Sequence, residues 1–180
     1  MQSKSGLRVV IINGKPGVGK TLFEIFCKDI VGHPYCRMRS TVDRVKEIAA
    51  EAGWNGEKSL AARKMLSDLK DVFTTYNDMP FNDIIKYTKK WESELQYYGV
   101  ENRPHILFVD DREPEHIDRV KKALDAITVL IRRPGDEDIE TSNHADSNVF
   151  NYKYDWVINN DGDPNQLKEK AEVFLNSLFS

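Results

Sequence analysis

The sequence predicts an α/β fold of three layers, in which helices cover both faces of a five-stranded parallel sheet. Short apolar runs, such as LRVVII and HILFVDD, alternate with longer stretches whose apolar residues recur at helical spacing. A glycine-rich segment, NGKPGVGKT, directly follows the first run. Strands that alternate with helices favour parallel pairing, because each crossover helix returns the chain to the same end of the sheet.

The strands and helices follow one another in a regular order along the chain. Gly53 is expected to end the second helix, and Asp163 with Pro164 to begin the last one. The expected strands are LRVVII, YCRMRST, HILFVDD, AITVLI and YDWVINNDG. The expected helices are TLFEIFCKDIV, TVDRVKEIAAEAG, residues 58–76, residues 80–99, EPEHIDRVKKALD and DPNQLKEKAEVFLNSLF.

Two segments are expected to extend this basic alternation. Residues 57–98 are interpreted as a helical insertion, and Trp91, Tyr97 and Tyr98 in it are expected to contact the core or another helix. Residues 132–151 are polar and without sustained periodicity, so they are predicted to form a lid loop. The first insertion helix is expected to carry one apolar face, formed by Leu60, Met65, Leu66, Leu69, Val72 and Phe73.

The composition is that of a globular protein with one domain. The 180 residues are 40% hydrophobic and 31% charged, which suits a single domain over residues 1–180. Because 26 basic and 29 acidic residues leave a net charge of −3, no nucleic acid or membrane partner is expected. MQSKSG lacks the apolar core of a signal peptide, so a cytoplasmic protein is expected. Cys27 and Cys36 lack metal-ligand spacing and are predicted to be packed, reduced thiols.

The segment NGKPGVGKT fits G-x-x-x-x-G-K-[ST], the Walker A pattern of a phosphate-binding loop. Its small residues let backbone N–H groups turn toward an anion, and the following helix adds its positive end. Lys20 is expected to reach the β- and γ-phosphates of ATP, and the Thr21 hydroxyl to bind Mg²⁺. The residues expected to bind the nucleotide are Gly14, Lys15, Gly17, Val18, Gly19, Lys20 and Thr21.

The run ILFVDD supplies carboxylates at the end of a buried strand. A carboxylate in this position orients Mg²⁺ or its water in Walker-type sites. Asp110 is the preferred candidate and Asp111 the second. An alternative for Asp111 is that it caps the helix that starts near Pro114.

Lys15 lies at the second position of the loop, and more than one role fits it. In the deviant Walker family of dimeric ATPases, a lysine at this position reaches across a subunit interface. Here Pro16 stands where that family has glycine, and the rest of the chain does not resemble it. The preferred interpretation is a solvated or phosphate-facing lysine that acts within its own subunit.

Beyond the loop, three segments carry a resemblance to a family. GWNGEKSLAARKMLSDL is similar to W-[DN]-G-x-K…R-x-L-L, DDREPEHI is similar to an acidic–x–Arg…Glu segment, and DWVINNDG occupies the place of a segment that many nucleotide-type kinases share. On these segments the chain resembles the deoxynucleoside monophosphate kinase and phosphomevalonate kinase group of P-loop kinases. The resemblance implies a P-loop NTPase fold in which the strand before the loop is central.

The resemblance also implies a second anion site, which binds the phosphate of an acceptor and is formed near Lys58, Arg63 and Arg112. The helical insertion of residues 57–98 would then lie on the acceptor side of the site. A guanidinium group offers a planar fork that matches phosphate oxygens, so the chemistry agrees. The alternative for Lys58 and Arg63 is an exposed helix surface with ordinary ion pairs.

Arg132 and Arg133 end a strand and open the predicted lid. From there they could reach the phosphates as the loop closes and neutralise charge in the transition state. The alternative is that they pair with Asp136, Glu137 or Asp138 of the same loop. His144 and Asp146 could contact the acceptor or a base, and a surface role is an equal alternative.

Two functions fit these observations. The preferred one is Mg²⁺-dependent transfer of the ATP γ-phosphoryl group to a phosphorylated small molecule, a nucleoside or deoxynucleoside monophosphate. ATP is preferred over GTP because the guanine-specific N-K-x-D motif is missing from its usual place. The alternative is a regulatory nucleotide-binding module that serves a protein partner and phosphorylates no small molecule.

Overall fold

Each predicted apolar run forms a strand in the computed structural model, which describes residues 6–139 and 148–180. The strands are β1 (Leu7–Asn13), β2 (Cys36–Ser40), β3 (His105–Asp110), β4 (Ile127–Arg132) and β5 (Trp156–Asn159). The helices are α1 (Lys20–Val31), α2 (Asp43–Glu51), α3 (Leu60–Asn77), α4 (Met79–Tyr97), α5 (Pro114–Leu124) and α6 (Pro164–Leu178). The predicted element order is therefore confirmed.

The strands form one sheet in the order β2-β3-β1-β4-β5, and every pairing is parallel. The loop-bearing strand β1 is central, as the resemblance implies. Its Ile12 pairs with Asp110 of β3, and Ser40 of β2 pairs with the same aspartate. The carboxyl ends of three strands thus meet beside the glycine-rich loop, which is where ligands bind in open α/β sheets.

The central strand is buried on both faces because helices cover each side of the sheet. Val10 and Ile12 pack with residues of α1 and α6, including Phe23 and Phe174. Val9 and Ile11 point to the other face and pack with α4 and α5. Since successive side chains of a strand alternate between faces, an unbroken apolar run is what a strand between two helical layers requires.

The helical segment between β2 and β3 is buried unevenly. In α4, Trp91 is 1% exposed and packs on the sheet, as predicted. The prediction that Tyr97 and Tyr98 contact the core or another helix is wrong, because they are 82% and 72% exposed at the end of α4. Helical spacing places residues on a face, but the helix here ends just where the sheet no longer covers that face.

The expected apolar face of α3 is only partly covered. Ala62 is the buried residue of this helix, whereas Leu60 and Val72 are 73% and 59% exposed. The helix packs chiefly against α2 and α4. A helix on the rim of the fold has fewer neighbours to cover its apolar residues than one that lies on the sheet.

Both cysteines are buried as free thiols, which confirms that prediction. Cys27 of α1 and Cys36 at the start of β2 belong to the same apolar cluster. Burial raises the pKa of Cys36 to about 12, and it raises the pKa of Cys27 as well. In the described ranges, no helix has the length and apolar character needed to cross a membrane.

Candidate active site

The loop between β1 and α1 has the backbone conformation that its glycines predict. Gly14, Gly17 and Gly19 have φ angles of 147°, 79° and 105°, in the region that favours glycine. A Cβ atom on Gly14 would lie 2.5 Å from the Ile131 carbonyl oxygen of β4. The start of the loop is therefore pressed against the neighbouring strand, and no larger residue fits there.

The first turn of α1 begins without a protein cap. Gly19 is the N-cap residue, no side chain accepts a hydrogen bond from the first turn, and that turn contains no acidic residue. The first N–H groups of a helix have no intrahelical acceptor, so an uncapped start beside a glycine-rich loop is a typical place for an anion to bind. Thr21 in this turn is exposed, which leaves its hydroxyl accessible.

Lys20 lies over the loop that it follows. Its Nζ donates to the carbonyl oxygens of Gly14 at 2.6 Å and of Lys15 at 3.0 Å. The ammonium group is therefore held at the mouth of the loop, within reach of an anion bound there. Val18 is fully buried in the core, so only its backbone could contact a nucleotide.

Asn13 fixes the entry to the loop from β1. Its Oδ1 accepts from Gly14 N at 2.8 Å, and its Nδ2 donates to the Tyr154 hydroxyl at 2.7 Å. At the far side, Asn160 after β5 donates from Nδ2 to Val18 O at 2.8 Å. Side chains from both ends of the chain thus hold the loop in shape before any ligand binds.

Of the two expectations for Lys15, a solvated or a phosphate-facing side chain, the first is wrong because the residue is buried, and the second stays a prediction. Lys15 is 6% exposed, and its Nζ donates to Ile139 O at 3.0 Å. The same ammonium lies 5.7 Å from the ring centre of Phe150. Ile139 and Phe150 flank residues 140–147, so Lys15 connects the phosphate loop to both sides of that segment. A contact 124 positions away cannot be read from the local sequence.

The two neighbouring carboxylates at the end of β3 have different surroundings. Asp111 is 1% exposed; its Oδ1 accepts from Arg112 N, and its Oδ2 is bonded to Nδ1 of the buried His116. Both oxygens are thereby occupied, so Asp111 is a poor Mg²⁺ candidate. It does not cap α5 either, because Glu113 is the N-cap residue of that helix.

Asp110 is the half-buried carboxylate that faces the loop. Burial raises its pKa, and the charges of Lys20 and Arg112 oppose that rise. Asp110 therefore lies in the field of the loop lysine, where a metal-orienting carboxylate is expected.

A third carboxylate, which was not predicted from the sequence, lies within electrostatic reach of Asp110 and Lys20. Glu24 of α1 is 2% exposed, and its Oε1 has no hydrogen-bond partner in the part of the chain that the structure describes. Burial, and then the charge of Asp110, raises the pKa of Glu24 to about 8, whereas Lys20 lowers it. The signal that could have found it is helical spacing, because residue 24 lies one turn beyond Thr21 on α1.

These groups fit a magnesium ion that keeps most of its waters. Among the described residues, no three acidic, histidine or cysteine side chains are grouped closely enough to hold a metal ion by themselves. Mg²⁺ is commonly bound by one or two carboxylates, water and substrate phosphates, so a complete protein cage is not needed. The exposed Thr21 hydroxyl, the Asp110 carboxylate and the unpartnered oxygen of Glu24 supply donors of the right kind.

The predicted acceptor-site cations are placed differently from one another. Arg112 is half-buried at the end of β3, and its charge acts on Asp110. Lys58 and Arg63 are exposed around the start of α3, where Ser59 caps the helix by accepting from Ala62 N. Within the described part of the chain neither of these two cations forms an ion pair.

Of the two arginines that open the predicted lid, Arg132 forms ion pairs with acidic residues of the same loop, which was the alternative to a phosphate contact. It pairs with Asp136 at 2.9 Å and with Glu137 at 2.6 Å, and these hydrogen bonds raise its pKa. Arg133 is exposed. The candidates His144 and Asp146 lie outside the described residues.

Comparison with solved structures places this geometry in a known fold. The chain superposes on shikimate kinase from Aquifex aeolicus with a TM-score of 0.55 and 12% identity, covering 96% of this chain and 99% of that one. The APS kinase of Mycobacterium tuberculosis, in complex with AMPPNP and APS, gives a TM-score of 0.49 and 16% identity over 96% and 98%. No protein-family model and no curated protein sequence matches the chain. The fold is thus shared with a P-loop kinase over nearly the whole chain.

Proposed function

We propose that the chain is a P-loop kinase that transfers the γ-phosphoryl group of ATP to a small acceptor that already carries a phosphate. The observation that carries this proposal is the uncapped start of α1 beside Lys20 and Asp110 at the carboxyl edge of the sheet. A triphosphate would accept from the uncapped N–H groups of α1, and a hydrated Mg²⁺ ion would donate to the Asp110 carboxylate.

In this proposal the protein acts mainly by positioning charge. The loop amides and Lys20 hold the β- and γ-phosphates, while Thr21 and Asp110 hold Mg²⁺, which neutralises charge on the phosphates when it is bound. An acceptor phosphate is already an anionic nucleophile, so no general base is required. The groups fixed before binding, such as Asn13 and Asn160, keep the loop from reorganising during the reaction.

The acceptor is proposed to be a nucleoside or deoxynucleoside monophosphate, with Arg112 as the main contact to its phosphate. Arg112 follows the two aspartates of β3, so an anion on its guanidinium lies next to the metal site. Lys58 and Arg63 are proposed to complete the acceptor site from the start of α3, where both are exposed. The resemblance of DDREPEHI and GWNGEK to phosphate-acceptor kinases supports this choice.

Residues 132–151 are proposed to act as the lid, and the two arginines at its start have separate roles. The ion pairs of Arg132 with Asp136 and Glu137 shape the beginning of the lid. Arg133 is exposed beside them and is the better candidate for a contact with the transferring phosphoryl group.

A regulatory nucleotide-binding module is the second candidate. The observation that favours it is the exposed apolar surface of α3, where Leu60, Val72 and Tyr76 are 73%, 59% and 81% exposed. Exposed apolar groups of this kind often bind a protein partner. A module of this type would bind ATP and would have no site for a mononucleotide.

Paired titration calorimetry tests the two candidates. A non-hydrolysable ATP analogue with Mg²⁺ is titrated first, and a panel of mononucleotides is then titrated into the complex. We expect one acceptor class to bind, and Arg112→Ala to weaken it about 10- to 100-fold while analogue binding is retained. The matched control is Arg103→Ala, an exposed arginine before β3 at the opposite edge of the sheet. Analogue binding without any mononucleotide binding would favour the regulatory module.

A further inference from the structure

Glu24 is a buried acid without a complete set of partners. The residue is 2% exposed, and Oε1 has no hydrogen-bond partner among the described residues. A buried carboxylate oxygen without a donor is unfavourable, since water solvates the unfolded side chain and nothing replaces that water after folding. An apolar residue would suit this position on α1 better, because Phe23 and Cys27 beside it belong to the core.

The position of Glu24 shows what its oxygen faces. It lies four residues after Lys20 and three after Thr21, so the three side chains share one side of α1. The charged groups that act on Glu24 are Asp110 at the end of β3 and Lys20. Glu24 therefore lies on the side of α1 that carries Lys20 and Thr21, close enough to Asp110 for the two carboxylates to affect each other.

We propose that Glu24 is a positioning residue of the cation site, and that its Oε1 accepts a hydrogen bond from a water molecule bound to Mg²⁺. This inference rests on the proposed function, because the magnesium ion arrives with the nucleotide. The bound water supplies the donor that the buried oxygen lacks. In return, Glu24 fixes the orientation of that water and so of the ion between Thr21 and Asp110.

A different role for the same residue would be to hold Lys20 in place. In that case Glu24 would affect every nucleotide complex equally, with or without a metal ion, because Lys20 contacts phosphate in both. The two roles are therefore distinguished by comparing metal-free and metal-bound nucleotide binding. Activity alone would not distinguish them.

The experiment measures Mn²⁺ binding to the complex with AMP-PNP by electron paramagnetic resonance, and AMP-PNP binding in EDTA by calorimetry. The variants are Glu24→Gln, whose amide oxygen still accepts a hydrogen bond, and Glu24→Met, which removes the acceptor. Glu169→Met, at an exposed position of α6, is the matched control. We expect Glu24→Met to weaken Mn²⁺ binding about tenfold and Glu24→Gln to weaken it less, with metal-free AMP-PNP binding within about twofold of wild type.

Equal loss of metal-free and metal-bound affinity would overturn the inference and indicate the Lys20-holding role. Unchanged Mn²⁺ affinity in both Glu24 variants would overturn it as well. If circular dichroism shows that Glu24→Met is unfolded, Glu24→Ala, which also removes the acceptor, takes its place in the comparison with Glu24→Gln. A wild-type protein that binds no AMP-PNP under either condition would instead overturn the proposed function, so the two failures are distinguishable.

Discussion

Helices α1 and α6 pack together on one face of the sheet, yet they begin in different ways. At the start of α6, Asp163 accepts from the N–H groups of Asn165 and Gln166, and the Gln166 side chain accepts from Asp163 N. At the start of α1, Gly19 offers no side chain at all. Side chains cap the first N–H groups of α6, whereas among the described residues no side chain caps those of α1.

The buried faces of α6 and α1 also differ, because only that of α1 contains a polar side chain. The buried residues of α6 are all apolar: Leu167, Ala171, Phe174, Leu175 and Leu178. Those of α1 include Glu24 beside Phe23 and Cys27. A helix that serves only the core satisfies its polar groups internally, whereas α1 retains polar groups whose partners would come with a ligand.

The largest expected effect concerns Lys20. Lys20→Ala removes the cation that lies over the loop, so ATP-dependent turnover should fall at least about 100-fold. The measurement is steady-state turnover with the acceptor found by calorimetry. Lys28→Ala, near the other end of α1, is the control and should retain turnover. Full activity in a folded Lys20→Ala protein would refute the phosphate-loop assignment.

The pH dependence of stability tests the buried acid of α1. Burial raises the pKa of Glu24 from 4.5 to about 8, so the carboxyl group takes up a proton on folding between these pH values. Its contribution to the unfolding free energy is therefore greatest below pH 4.5 and decreases as the pH rises toward 8.

Relative to Glu24→Gln, wild type should lose a few kcal/mol across this window in urea unfolding experiments without nucleotide. Glu169→Gln on the exposed face of α6 should follow the wild-type curve. Parallel wild-type and Glu24→Gln curves would show that the acid is not desolvated as described.

Gly14→Ala tests the close approach of the loop to β4. The new Cβ would meet the Ile131 oxygen at 2.5 Å in a backbone conformation that alanine rarely adopts. We expect a loss of about 2 kcal/mol of unfolding free energy, together with weaker nucleotide binding. Gly17→Ala is the matched variant, because its φ is also positive but nothing lies within 4 Å of the new atom. Equal losses would show that conformational strain alone, without the contact, accounts for the cost.

The smallest expected effect belongs to the capped helix. Asp163→Ala removes the side-chain acceptor at the start of α6 and should cost about 1 kcal/mol in chemical unfolding. Nucleotide affinity should remain unchanged, because the cap serves the helix alone. Asp163→Asn keeps an acceptor and should recover most of the stability. A change in nucleotide affinity would show that the two helix starts are coupled.

What the sequence could predict follows from how local each feature is. The strand, loop and helix around residues 7–31 form a contiguous pattern, so fold class and phosphate loop are predictable from it. The roles of Lys15 and Asp111 are not, because their partners, Ile139 and His116, are chosen by tertiary packing. The same reason explains why Tyr97 and Tyr98 are exposed against expectation. Periodicity shows which side of a helix is apolar, but it does not show where the neighbouring elements stop covering that side.

The two buried cysteines provide a chemical probe of how often α1, the helix after the phosphate loop, opens. Thiol reagents attack the thiolate, and both Cys27 and Cys36 are shielded and have raised pKa values. In neutral buffer, modification therefore requires molecules in which α1 has separated from β2 for a moment. The rate of thiol modification therefore reports how often these openings occur, and no cysteine has to be introduced for the measurement. A phosphate ligand that fastens the start of α1 should slow the modification of both thiols.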